Sequence, residues 1–550
     1  MVKVSFLVLV FALVVAVTGL SAATVELPVT GQTRCYDSAG GDLSCAGSGQ
    51  DGEKQAGVVW PAARFSILYC DPSGPCANQS FDCDGNPSTD VVMDRLTGLF
   101  WSRNAGLTGT KVPWLDALAF ANNLVLCGFS DWRAPNVNEL ESVIHSGEAD
   151  SAFWLGTRGF VDLWNDYYWS STTYAGAVST AWTVLMDDGF RYYSVKDSLA
   201  YPWPVRGTWD GSGAIALPRT GQSISYAPGD DGAVKAGAVW PNPRFVDHGN
   251  GTVTDILTTL MWTKDAATPG PSQCVPGFSK TWVEALTHVA CLNAYRYLGY
   301  EDWRLPNRNE LSSIVDCSQA FPSLPPGSPF VNIRPSCWSS TTNAGDPWRA
   351  WALSVEGGAG VDYQKSSSAG VWPVRQGQPL TYVVLTVLKA GQGAGRVTSS
   401  PAGIDCGADC SEPYPAGTVV SITAVPDAGS YFAGWSGGGC SGIGQCVIAL
   451  GADTTVTAAF NPLSLLTVSK SGGGAGVVMS APPGIDCGAD CSQYYVPGTP
   501  VTLSATAGAG STFVGWSGGG CSGVGPCTVA MDGNVSVNAD FVNCTYTLLP

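Results

Sequence analysis

Gly-Trp-Ser-Gly-Gly-Gly-Cys occurs twice in the 550-residue chain, at 434–440 and 515–521. Gly-x-Ser-x-Gly is the spacing of a nucleophile elbow, in which a serine stands on a strand-to-helix turn and a later histidine takes its proton. Two facts oppose that chemistry here. His145, His248 and His288 all precede Ser436 and Ser517, and five glycines fall within the nine residues after Ser436, which rules out a following helix. We read both serines as non-catalytic, with Trp435 closing a small core and the glycines taking positive-φ turn positions.

Other spacings raise further chemistry. LPVTG (27–31) and LPRTG (217–221) fit a cell-wall sorting signal, but such a signal precedes an apolar segment and a basic tail at a C-terminus. These precede folded domains and read as a strand and turn. Trp164-Asn165-Asp166 matches a calcium-ligand triplet of sugar-binding lectins, yet lacks an EPN or QPD partner and a counterpart in the second half of the repeat. Asp247, Asn250, Thr252 and Asp255 offer closely spaced oxygens around glycines, a Ca²⁺ candidate. The competing reading, an Asx turn leading into a strand, is favoured. No other cofactor is expected.

The 19 cysteines belong with export and oxidation more than with metal. Cys406, Cys410, Cys440 and Cys446 form one group of four, and Cys487, Cys491, Cys521 and Cys527 another, each allowing three connectivities, with zinc as the minority alternative. Cys274, Cys291, Cys317 and Cys337 form an even set, as do the six cysteines between Cys35 and Cys127. Cys544 is left over, and its partner is expected beyond Pro550.

The elements that must position these residues come in repeats. DWRAPNVNEL (131–140) returns as DWRLPNRNEL (302–311), LTGLFW (96–101) as LTTLMW (257–262), WSSTTYAG (169–176) as WSSTTNAG (338–345), and WPVR at 203–206 and 372–375. The order is kept, so 24–207 and 214–376 are two copies of one domain. GIDCGADC (403–410, 484–491) and GWSGGGC define a second pair, 381–461 and 464–542. Trp114 to Leu126 and Trp282 to Leu298 have helical spacing; Asn136 with Glu139, and Asn307 with Glu310, form capping-box patterns for a second short helix. The C-terminal pair alternates throughout and reads as all-β.

Residues 1–23 read as a secretory signal peptide cut after Ala23, with no later apolar run long enough to span a membrane. Net charge is −17, which opposes nucleic acid and anionic membrane as partners.

At the motifs just quoted the N-terminal pair resembles the Lcl C-terminal domain, a bacterial family also called DUF1566 and named after a collagen-like Legionella adhesin. The resemblance implies two α+β domains with a fold similar to C-type lectins and formylglycine-generating enzymes and, for the adhesin, binding of sulfated glycans. The C-terminal pair resembles divergent InlB B-type repeats of surface proteins, and CTYTL at 544–548 resembles the opening strand of a BACON domain, with 543–550 read as the start of a further domain. The expected architecture is thus two lectin-like α+β domains followed by two small disulfide-stapled β repeats. The enzyme branch of the fold acts through a reactive cysteine pair, and the two copies share no cysteine position, so a binding scaffold without catalysis is expected.

The function expected is that of a secreted or surface-displayed adhesin whose tandem copies add avidity, with a glycan or surface protein as partner. The acidic balance opposes sulfated glycans. Candidate contacts are Tyr167, Tyr168, Tyr174, Asn343 and Trp348, in loops flanking WSSTT. The alternatives are a structural component of the cell envelope and an enzyme of the formylglycine type.

Overall fold

The computed structural model describes residues 24–70, 85–207, 213–377 and 381–544, and the chain divides into two compact units at 380/381. The signal peptide, Cys76, Cys83 and residues 545–550, which include most of the BACON-like stretch, lie outside the described residues. The protein is multidomain, mostly β and rich in disulfides.

In the first unit each copy builds one four-stranded and one three-stranded antiparallel sheet. In copy 1 the strands are Phe65–Leu68, Val91–Asp94, Phe100–Ser102 and Val205–Arg206, then Tyr167–Thr173, Thr180–Leu185 and Arg191–Val195. In copy 2 they are Phe245–Asp247, Thr252–Asp255, Leu260–Thr263 and Val374–Gln376, then Ser336–Thr342, Arg349–Ser354 and Ala359–Gln364. The helices are Trp114–Asn122 and Val137–Ser142 in copy 1, and Trp282–Ala294 and Arg308–Ser313 in copy 2. The long helices stop before the ends of their apolar spacing; after Ala294 the chain turns through left-handed Arg296 and Leu298.

The repeated motifs explain this order. Both capping boxes form, with Asn136 accepting from the Glu139 amide at 3.0 Å and Asn307 from the Glu310 amide at 2.9 Å. Each capping glutamate also takes a forked arginine, Arg133 on Glu139 and Arg304 on Glu310. The invariant arginine of DWRxPN therefore pins a helix start to a strand end. Trp132 and Trp303 are 2% exposed, and their indoles donate to Leu126 and Tyr297 carbonyls. A buried indole needs such a partner to offset its desolvation.

The copies close on each other as a ring. Segment 213–238, which opens copy 2 in the sequence repeat, lies on copy 1: Gln222 makes two hydrogen bonds to the Thr173 backbone, and Asp231 accepts from Thr172 and Thr220. Segment 24–58 makes the same set on copy 2, with Gln32 on the Thr342 backbone and Asp51 accepting from Thr341 and Thr30. Asn138 donates to the Pro218 carbonyl, and Asn309 to that of Pro28. The start of the chain thus completes copy 2. Arg308 of copy 2 donates to the backbone of Asp188 and Gly189 in copy 1, and one apolar core runs through both copies.

The second unit holds the two β repeats. In the first, Tyr382–Ala390 pairs in parallel with Thr454–Pro462 at the centre of a four-stranded sheet, facing the three strands Gly395–Ser400, Val419–Pro426 and Cys446–Ala449. The second repeats this order, with Ser464–Ser471 and Val535–Asn543 as the parallel pair. Trp435 and Trp516, each 5% exposed, close the two cores. Cys406–Cys410, Cys440–Cys446, Cys487–Cys491 and Cys521–Cys527 are bridged, which fixes one of the three pairings the sequence left open.

Burial raises the carboxyls of Asp51 and Asp231 to about 6, against the threonine hydrogen bonds that favour the charged form. Because these values lie above those of the unfolded chain, their contribution to stability is full below about pH 4 and is lost as pH rises through about 6, by roughly 3 kcal/mol per carboxylate. Replacing both by asparagine should raise the unfolding midpoint of the first unit at neutral pH and flatten its pH dependence between about pH 4.5 and 7.5, followed by near-UV circular dichroism of the full chain.

Candidate functional site

Three of the five predicted contact residues are buried, and one of them, Asn343, ties the copies together. Tyr168 is fully buried, its hydroxyl accepting the Trp164 amide at 2.9 Å. Tyr174 stacks on Tyr193 with ring centroids 4.1 Å apart. Asn343, 4% exposed, donates to Asp188 of copy 1 at 3.3 Å and Asp362 of copy 2 at 3.0 Å. These three are corrected: the loops after WSSTT face the neighbouring copy, which one copy viewed alone does not reveal. Tyr167 is half-buried, and Trp348 is exposed at 60%.

The calcium candidates are also corrected. Asp255 is buried and forked by Arg244 at 3.1 and 2.9 Å, while Asp247 pairs with Lys264 at 2.6 Å. Burial opposes the charge on Asp247, but Lys264 and the Gly249 amide outweigh it and hold the carboxyl below its usual range. Asn250 accepts from both the amide and the hydroxyl of Thr252. Strand pairing sets Asp247 opposite Val253 and Asp255 opposite Phe245, so the two carboxylates belong to different ends of the hairpin. Among the described residues no three acidic, histidine or cysteine side chains are grouped as a metal would require.

Ser436 and Ser517 end strands and are exposed, each followed by three glycines at positive φ. The Trp435 indole donates to the Gly444 carbonyl at 2.7 Å, so the motif closes a turn over the core. Cys274 pairs with Cys291, but Cys317 and Cys337 remain unpaired and buried. That expected bridge is corrected: Cys317 meets Arg191 of copy 1 at 2.9 Å, and Cys337 lies inside the strand Ser336–Thr342. Burial pushes both thiols up to about 12.

Copy 2 holds an open polar cleft of about 560 Å³ at the ends of its strands. One wall is the loop 268–277, closed by the Gly277 amide on the Thr268 carbonyl. The Cys274–Cys291 bridge ties that loop to the helix Trp282–Ala294, and His288 reaches from the helix to the carbonyls of Cys274 and Pro269 at 2.9 and 2.8 Å. Burial lowers the His288 imidazole, against these two carbonyls. Asp265, Tyr297, Asn332 and Arg334 line the rest. Asp265 Oδ1 accepts the Ala267 amide and one Arg334 nitrogen donates to the Gly277 carbonyl. Asp265 Oδ2, the Tyr297 hydroxyl and the Asn332 amide have no protein partner among the described residues. Burial and the nearby Asp265 charge raise the Tyr297 phenol, keeping it a hydroxyl donor.

In copy 1 the same amide–carboxylate pair is reversed and shut: Asn104 donates to Asp162 at 2.7 Å. Sequence reasoning missed this cleft, although its signal was present. Between the aligned tryptophans, Trp262 to Trp282 is seven residues longer than Trp101 to Trp114; Cys274 lies inside that longer stretch and Cys291 in the helix that follows it.

Such a molecule is a disulfide-rich, multidomain β protein whose duplicated first unit offers a polar cleft. Its families are now clear. The chain carries two Lcl C-terminal domains, matched at 90–206 and 251–375, and two divergent InlB B-repeat domains, matched at 385–464 and 466–544. The Lcl matches leave out segments 24–58 and 213–238, the pieces that close the ring. No curated protein matches the chain. Among solved structures, it resembles the Bacillus anthracis TIE protein at 11% identity, over 36% of this chain and 41% of that one, with a TM-score of 0.14. It also resembles the major pilin T-13 of Streptococcus pyogenes (8% identity, 30% and 97% covered, TM-score 0.14). The third is the shaft pilin SpaA of Lactobacillus rhamnosus GG (10%, 31% and 100%, TM-score 0.16). At these scores the likenesses carry no argument.

Replacing Cys274 and Cys291 together by serine should speed amide exchange across 268–277 by about tenfold or more while leaving the core strands protected, read by hydrogen-exchange mass spectrometry. In the native protein a soluble maleimide should leave the buried Cys317 and Cys337 untouched until denaturant is added.

Proposed function

We propose that the protein is an exported, cell-surface binding protein of adhesin type, which recognises glycans through the cleft of copy 2 and carries out no turnover. The InlB-type repeats and the signal-peptide pattern support surface display. In this reading each copy is a C-type-lectin-like scaffold, and the paired β repeats are the spacer.

The observation that carries the glycan reading is the set of unpaired groups at the cleft. A carboxylate oxygen, a phenol, an amide and a guanidinium converge on one polar space. A sugar offers hydroxyls that both donate and accept, so it matches such a mixed set better than an apolar ligand or a simple ion does. The guanidinium shares the cleft with a carboxylate, which disfavours a strongly anionic ligand. Binding without chemistry is supported by the environment of the two elbow-like serines, which lie in a unit containing no histidine.

A glycan array probed with the full chain should give a defined set of neutral glycans. Asp265→Ala should weaken the strongest of them by about tenfold to a hundredfold, since it removes a charged hydrogen-bond acceptor without touching the core. An array without binders, or binding unchanged in that variant, would overturn the assignment.

A further inference from the structure

The two copies have diverged at one position of the cleft. Where copy 2 places Arg334, copy 1 places Trp164, two residues after the left-handed Asp162 that aligns with Asn332. The shorter loop of copy 1 lies close to this indole: a Cβ on Gly106 would stand 3.3 Å from its Nε1 and 2.9 Å from the Asp162 carbonyl oxygen. Asn104 is bonded to Asp162, so the amide–carboxylate pair that stays apart in copy 2 is joined at this place.

The indole that covers it is nonetheless half in water, at 50% exposure. It is also held in place. Tyr201 stacks behind it with centroids 6.5 Å apart and planes at 27°, and Tyr201 in turn leans on buried Tyr168 at 5.4 Å. The Trp164 amide donates to the Tyr168 hydroxyl, and its carbonyl accepts from the Asp166 amide. A fixed, flat, exposed ring has little conformational freedom left to lose when something stacks on it. Its rim is polar: exposed Asp162 and Asn165, and the Lys111–Asp166 ion pair at 2.5 Å. Asp162 Oδ1 has no protein partner among the described residues.

We infer that copy 1 carries a second subsite, in which the Trp164 indole takes the apolar face of a pyranose ring while Asp162 and Asn165 meet its equatorial hydroxyls. The inference rests on the glycan reading above but uses different residues and a different mode, stacking in place of enclosure. Each molecule then has two unlike sugar sites, and the duplication widens recognition as well as adding avidity.

The test is nuclear magnetic resonance on the full chain labelled at its tryptophan indoles, with D-glucose, D-galactose, D-mannose and N-acetyl-D-glucosamine as probes. Trp164→Phe assigns the Trp164 indole signal by its disappearance and retains a ring that can stack. At least one of the four sugars should move that signal saturably, in the Asp265→Ala variant as in the native chain. Read by isothermal titration calorimetry in the Asp265→Ala background, Trp164→Ala should weaken the remaining binding by about tenfold, and Trp164→Phe by less. If one of the four sugars binds the native chain in isothermal titration calorimetry, with that binding lost in Asp265→Ala, but leaves the Trp164 signal still, the subsite is refuted and the cleft stands. If Asp265→Ala also abolishes the Trp164 shift, the indole only reports on the cleft and the subsite is again refuted. If neither place responds, the glycan reading itself falls.

Discussion

Two carboxylates, Asp51 and Asp231, sit in dry surroundings with two threonine hydroxyls apiece, and the closure of the first unit depends on them. In each case one hydroxyl comes from the segment that carries the aspartate and the other from the WSSTT strand of the copy being completed. An ionised carboxylate in such a place costs several kcal/mol unless it is well partnered. The arrangement therefore specifies where the segment docks more than it adds stability. The glutamines two residues beyond the LPxT threonines, Gln32 and Gln222, fix the register with paired backbone hydrogen bonds.

Ring closure decides which surfaces remain for function. Because segment 24–58 completes copy 2 and segment 213–238 completes copy 1, the faces carrying the WSSTT loops turn toward each other. Asn343, which in a lone copy would stand at a loop tip, becomes a tie across that boundary. What stays open lies at other strand ends, where loop 268–277 stands over Asp265. The stiffness of the ring helps there, because a cleft built on loops needs a fixed base if its polar groups are to meet a ligand without large ordering costs.

Legibility in the sequence followed the range of the interaction. The capping boxes and the arginine–glutamate forks of DWRxPN were readable, because all their parts lie within nine residues. So was the role of Trp435, whose turn is closed by local glycines. The exchange of segments was not readable: Asp51 and Thr341 are 290 residues apart, and no local pattern links them. Counting cysteines also failed where geometry intervened, since Cys317 faces an arginine of the other copy while Cys337 is enclosed in its own strand. The cleft occupies a middle position. The insertion before Trp282, the cysteine inside it and the cysteine after it were visible, but that they frame an opening depends on Asp265 and Asn332 failing to bond as Asn104 and Asp162 do.

Duplication within a closed ring gives each half a different freedom. The residues that dock the two opening segments match in both copies: threonine pairs, glutamines and capping asparagines recur position for position. Arg308 and Asn343, which also tie copy 2 to copy 1, have Val137 and Tyr174 in their places. The loops between Trp101 and Trp114 and between Trp262 and Trp282 carry none of these ties, so they can lengthen or exchange residues at little cost to closure. Copy 2 spent that freedom on a longer loop, a disulfide and a histidine that braces two carbonyls, which together hold a polar space open. Copy 1 kept the short loop and set an indole over it. Unlike sites on like scaffolds are the expected result when the constraint lies at the interface and the variation at the rim.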